Sequence, residues 1–173
     1  MYEPHSFTHQ KSENGDNFKS GLPWPALTGS AQSVREGLRL HMQAAGLSEM
    51  EQQANLDQLA TDIDLYFREN WSVGILQRRI GEAVGWARKH NIPATRLFMG
   101  EFGVMRLSSD GRSGAYDVDR LTYLQAARTT AEGFGMPWSV WEYSNPHGMT
   151  VIEPVGQAVP DQDLLKALGL AVR

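Results

Sequence analysis

The segment Leu97-Phe98-Met99-Gly100-Glu101-Phe102-Gly103-Val104 ends a short apolar run on one carboxylate and frames that carboxylate with two glycines. Leu97, Phe98 and Met99 have the make-up of a buried strand. In α/β folds the catalytic groups sit at the carboxyl ends of strands, which is the place Glu101 takes. A glutamate there can act as nucleophile or as general acid/base. The same position also suits a helix cap or a salt-bridge partner. Gly100 and Gly103 are expected to let backbone or ligand approach closely. Near the other end of the chain, Trp138-Ser139-Val140-Trp141-Glu142-Tyr143 concentrates aromatic rings at a second candidate strand end.

The elements that must position these groups follow from periodicity. Ile75, Leu76, Ile80, Val84 and Ala87 recur at helical spacing between Ser72 and His90, with Trp86 beside the stripe. Ser72 caps this helix, Lys89 and His90 suit its negative end, Asn91 takes the left-handed closing position, and Pro93 prevents continuation. The Glu101 strand follows at once, which makes an αβ unit with a short turn. Upstream, residues 31–69 read as two helices. Val34, Leu38, Leu40 and Met42 give the first its stripe, and Gly46 ends it. Ser48, with Glu51 three residues on, opens the second as a capping box, and Leu56, Leu59, Ile63 and Phe67 form its inner face. Asp57, Asp62 and Asp64 read as a solvated face rather than a metal site.

Residues 1–30 are poor in helix signals. Met1 and Tyr2 read as the stub of a strand, and the rest as a long loop in which Leu22-Pro23-Trp24-Pro25 is an ordered lid segment. Downstream come a polar loop over 105–118, a helix from about Asp119 to Gly133, and a strand from Met136 to Tyr143. The loop over 144–160 turns at Asn145-Pro146-His147-Gly148, with a short strand at Met149 to Ile152. Leu164, Leu165 and Leu168 mark a final helix. Helices alternating with strands, each strand ending at a candidate site residue, are the grammar of a parallel barrel or doubly wound sheet. The chain reads as one domain, residues 1–173.

Composition narrows the possible partners. The 173 residues carry a net charge of -4 and no long basic run, so neither nucleic acid nor an anionic membrane is expected. There is no cysteine, hence no disulfide and no thiolate metal site. No apolar run approaches the roughly 18 residues of a membrane span, and the opening Met-Tyr-Glu-Pro-His is not expected to be a signal peptide. No His/Asp/Glu cluster has metal spacing, and no glycine-rich loop opens a helix after a strand. No metal or cofactor is expected.

Gly100-Glu101-Phe102-Gly103-Val104 resembles the strand-seven segment of glycoside hydrolase family 5, the cellulase-like (β/α)8 retaining glycosidases. Tyr2-Glu3-Pro4-His5-Ser6-Phe7-Thr8-His9-Gln10 resembles that family's strand six, and Trp138 to Tyr143 its strand eight. The three motifs occur in order and span nearly the whole chain, but only about the last third to half of the family's domain, whose barrel typically takes about 250 residues. The resemblance implies a fold: α/β, a partial (β/α)8 TIM barrel of roughly strands six to eight with their helices. It implies an activity, hydrolysis of O-glycosyl bonds in a β-linked oligo- or polysaccharide. It also implies roles. Glu101 would be the nucleophile, Tyr2 would orient it, and Trp141 would stack the sugar. Trp24, Asn145 and His147 would line the substrate cleft.

Retaining glycosidases need a second carboxyl group as acid/base. The family's is a glutamate after an asparagine on strand four, and this sequence has no Asn-Glu-Pro. Glu3 belongs to the strand-six segment. Glu142 would point away from the cleft if Trp141 points in, because neighbouring strand residues alternate. The acid/base is therefore expected outside this chain, in the missing N-terminal half of a barrel. A non-catalytic carbohydrate-binding remnant is the alternative. A third reading is an unrelated α/β domain in which Glu101 is structural.

Overall fold

A computed structural model describes residues 1–11, 18–144, 148–152 and 159–170. Six helices are named among them: α1 (His5–Thr8), α2 (Ala31–Ala44), α3 (Glu49–Glu69), α4 (Val73–Lys89), α5 (Asp117–Gly133) and α6 (Gln162–Ala167). Two short strands, β1 (Lys19–Ser20) and β2 (Ser113–Gly114), pair in parallel, Lys19 opposite Ser113 and Ser20 opposite Gly114. The chain is α/β and rich in helix.

Local chemistry explains the helix ends. Ser30 caps α2 by a reciprocal box with Ser33. Ser48 caps α3 in the same way: its backbone N–H donates to Glu51 Oε2 at 2.8 Å and its Oγ accepts from the Glu51 N–H at 3.4 Å. Asn70 and Asn91, at φ 51° and 57°, take the left-handed positions after α3 and α4. The buried faces follow 3.6-residue periodicity, with two corrections. On α2 the stripe is Val34, Leu38 and Met42, while Leu40 is 61% exposed, because it lies two residues from its neighbours in the stripe rather than three or four. On α3 the last buried ring is Tyr66, not Phe67. Asp62 and Asp64 lie in solvent, paired to Lys19 and Arg35.

The two segments read as strands around Met99 and Trp138 do run side by side and parallel. Their pairing is an isolated bridge, Met99 to Trp138, rather than a ladder. Met99 N–H donates to Pro137 O at 2.9 Å and Ser139 N–H to Met99 O at 3.0 Å. The Gly100 carbonyl then accepts from the Ser139 hydroxyl, a side-chain bond that contributes nothing to a backbone ladder. Residues 1–30 also differ from a plain loop. α1 lies within them, and Phe7, Phe18, Leu22 and Trp24 join the core with Tyr66, Tyr123 and Leu124. The short strand expected at Met149 to Ile152 appears as one antiparallel bridge, Ile152 to Pro160.

Candidate functional site

Four short segments bring the candidate groups together. Met99 and Trp138 set the register between the Glu101 and Trp141 segments. A regular parallel ladder would next bond the Trp141 N–H to the Glu101 carbonyl. Instead the Trp141 N–H donates to Phe102 O at 2.8 Å. One extra residue thus sits between Met99 and Phe102, a bulge, and such bulges re-aim a side chain. The Glu101 carbonyl, displaced from that ladder, accepts from the Met1 nitrogen. Glu101 itself is exposed while Phe102 is wholly buried.

The Met1–Tyr2 segment is fixed from behind. Thr8 Oγ1 donates to Tyr2 O at 2.9 Å, and the buried Tyr123 hydroxyl donates to Glu3 O at 2.9 Å. Held there, Tyr2 Oη donates to Glu101 Oε2 at 3.0 Å, across most of the chain. Burial raises the Tyr2 phenol above its ordinary value. The hydrogen bond to Glu101 adds to the rise, as do the charges of Glu101 and Glu142. Tyr2 is therefore a proton donor, not a phenolate.

His9 packs its edge against Tyr2, ring centroids 5.1 Å apart at 74°, and stacks on His5 at 4.1 Å and 11°. Its Nδ1 lies 2.9 Å from Thr8 Oγ1. Burial, then the neighbouring His5 and Lys19, push His9 down to about 4, so the imidazole beside the phenol is neutral at pH 7.

The glycines divide. A Cβ on Gly103 would stand 2.4 Å from Trp141 O and 3.2 Å from Met149 Sδ, so the Trp141 backbone passes where only glycine leaves room. A Cβ on Gly100 would meet only the Phe98 ring, at 3.6 Å, an ordinary contact. Close approach therefore requires Gly103 and not Gly100.

Of the expected substrate-facing aromatics, Trp141 is 40% exposed beside the Phe102 segment. Trp24 is not available. It is 2% exposed and lies against Phe7 at 5.5 Å and Tyr123 at 4.9 Å. Its flanking prolines mark a rigid loop, and they say nothing of which side that loop turns. Trp138 is partly buried, edge-on to Phe102, and donates to Glu132 Oε1 at 3.2 Å. Asn145 and His147 lie outside the described residues. Glu3 pairs with Arg79 at 2.9 Å. Among the described residues no group of three His, Asp or Glu could hold a metal ion, and no helix is long and apolar enough to cross a membrane.

No protein-family model matches the chain, and no curated protein does. Solved structures do. The cellulose synthase subunit Z of Clostridioides difficile superposes on 96% of this chain with a TM-score of 0.56 at 21% identity, over 38% of its own length. A hyperthermophilic endo-β-1,4-glucanase solved with its substrate covers 98% of this chain, and 37% of its own, with a TM-score of 0.48 at 23% identity. Thermotoga maritima Cel5A, solved with cellobiose, covers 56% of this chain and 27% of its own, with a TM-score of 0.45 at 22% identity. The chain's structural neighbours are endoglucanases and cellulase-related proteins, and its fold is similar to that of the cellulose synthase subunit Z. It spans well under half the length of each.

Proposed function

We propose that residues 1–173 form one domain, the C-terminal part of a (β/α)8 glycoside hydrolase of the family 5 type. Its reaction is retaining cleavage of β-glycosidic bonds in a glucan. The observation that carries this reading is the 3.0 Å hydrogen bond from Tyr2 Oη to Glu101 Oε2. It engages one carboxylate oxygen and leaves the carboxylate exposed at a strand end beside Trp141. The extent of superposition on a cellulase-related structure supports the fold it needs.

In this reading Glu101 attacks the anomeric carbon and the glycosidic oxygen leaves, which forms a glycosyl ester on Glu101. Water then attacks the same carbon, and the configuration is retained. Tyr2, held protonated, keeps the carboxylate in line as its charge is spent and restored. Trp141 offers an indole face to the sugar. The leaving oxygen needs a proton from a second carboxyl group about 5–5.5 Å from the first. Glu3, tied to Arg79, does not fill that role, and the acid/base comes from outside these residues. The second reading is a carbohydrate-binding remnant without turnover, with the exposed Trp141 as its platform.

An aryl β-cellobioside with an activated leaving group separates the two, since it needs little acid assistance. The expected result is aryl release with a glycosyl adduct on Glu101, detected by mass spectrometry. Both are lost in Glu101→Gln. A folded chain that gives neither adduct nor release, yet binds cellobiose, establishes the remnant instead.

A further inference from the structure

A cavity of about 240 Å³ opens between one face of α2 and the start of α5. It shares no lining residue with the Tyr2–Glu101 pair. Its walls are of two kinds. Leu38 and Val34 are buried and apolar, and the ring of Tyr116 lies across Gly21, where an added Cβ would come within 3.2 Å of it. Opposite them stand hydrogen-bonding groups. Asp119 spends Oδ1 on the Trp24 N–H at 2.7 Å, and its second oxygen has no partner among the described residues. His41 has no hydrogen-bond partner among them either, and its Nδ1 is sealed from solvent. Gly37, in the middle of α2, faces open space: a Cβ there would meet nothing within 4 Å. Glycine in a helix interior is unfavourable, so this room is kept against local propensity.

We propose that this cavity binds a single pyranose ring, either free or at the end of a glycan. No lysine or arginine lines it, and Asp119 would repel an anion. A lone carboxylate among hydroxyls and a half-exposed aromatic face is the chemistry that recognises a neutral polyhydroxyl ring. The free Asp119 oxygen takes the hydroxyls, His41 in the wall reports on them, and the ring's C–H face lies on Tyr116. The space equals that of roughly eight liquid waters at about 30 Å³ each. The sugar hydroxyls would replace their hydrogen bonds. Burial already raises the Asp119 carboxyl, and donated hydroxyls would offset that desolvation. This proposal does not rest on the hydrolase reading.

The test follows the His41 imidazole resonances by NMR while methyl β-glucopyranoside is titrated into the full chain. Cyclohexanol and inorganic phosphate are the comparison probes. The expected result is a saturable His41 shift with the glucoside alone. Gly37→Leu, whose Cβ meets nothing within 4 Å, puts a side chain into this space and weakens that binding by at least about tenfold. Tyr116→Leu weakens it as well, should Gly37→Leu not fold. Glu101→Gln leaves it unchanged, so binding here is separable from any event at the other site. No saturable shift, an equal response to cyclohexanol, or unchanged affinity in both cavity variants overturns the proposal. If cellobiose binds as well as the single ring, the ligand is a glycan end; if it does not, the ligand is a free sugar.

Discussion

Glu101 and Asp161 are both carboxylates attached to the segment that runs from Met99 to Arg106, and their surroundings are opposite. Asp161 is nearly buried. Its Oδ2 accepts from Arg120 at 3.4 Å and from Arg106, and its Oδ1 accepts from the Leu164 N–H at 2.9 Å, which caps α6. Arg120, 1% exposed, uses its remaining donors on the carbonyls of Val104, at 3.3 Å, and Thr150, at 3.0 Å. Glu101 faces solvent and is held by one phenol. The first carboxylate has its hydrogen-bonding capacity consumed in holding α5, α6 and the Val104 segment together. The second keeps capacity in reserve. Glu101 is supported from behind, through Tyr2, Thr8 and Tyr123, rather than saturated in front.

Arg120→Ala is the largest test of this contrast. It removes one of three donors to Asp161 and leaves the carbonyls of Val104 and Thr150 without this guanidinium, and breaking a buried pair costs about 3–5 kcal/mol. Urea unfolding should show that loss, whereas Glu101→Gln should shift stability by no more than about 0.5 kcal/mol. Equal losses from the two would break the comparison. Gly103→Ala should fall between them. Its methyl meets a backbone carbonyl rather than a yielding side chain, and overpacking of this kind costs about 1–3 kcal/mol. The Trp141 fluorescence should move with it; a variant as stable as the parent with unchanged emission would show that the Trp141 strand can retreat.

The exposed side should also show a pH dependence. His9 in the folded chain protonates near 4, against 6.5 for an unperturbed histidine. Between those values the unfolded chain binds a proton that the native chain does not, so stability rises with pH there. The contribution is complete above about 6.5 and falls away as pH drops towards 4. His9→Gln should flatten that part of the stability profile relative to the parent. A parallel pair of profiles would mean that His9 titrates normally.

Much of the helical frame was legible in the sequence because it is written locally. The Ser48–Glu51 box, the Asn91–Pro93 stop and the Val34, Leu38 and Met42 spacing each lie within a few residues. The pairing of the Glu101 and Trp141 segments was legible as adjacency but not as register, since an extra residue leaves no compositional mark. Trp24 was misjudged for a related reason. Its neighbours Phe7 and Tyr123 are distant in sequence, and a proline-flanked tryptophan looks the same in a lid as in a core. The Tyr2–Glu101 bond was foreseen through the resemblance to a known family and not through any property of Tyr2 itself. The cavity beside α2 left only Gly37 as a trace.

Counted as an alternation of two, the strand loses a beat at Glu101. Met99 and Phe102 are both buried although three positions apart, and the carboxylate between them faces solvent. Its direction is therefore fixed by how many residues the segment contains, as well as by which residues they are. Substitutions at this point leave that phase intact, whereas a single deletion between Met99 and Phe102 would restore regular pairing and turn the next side chains to the opposite face.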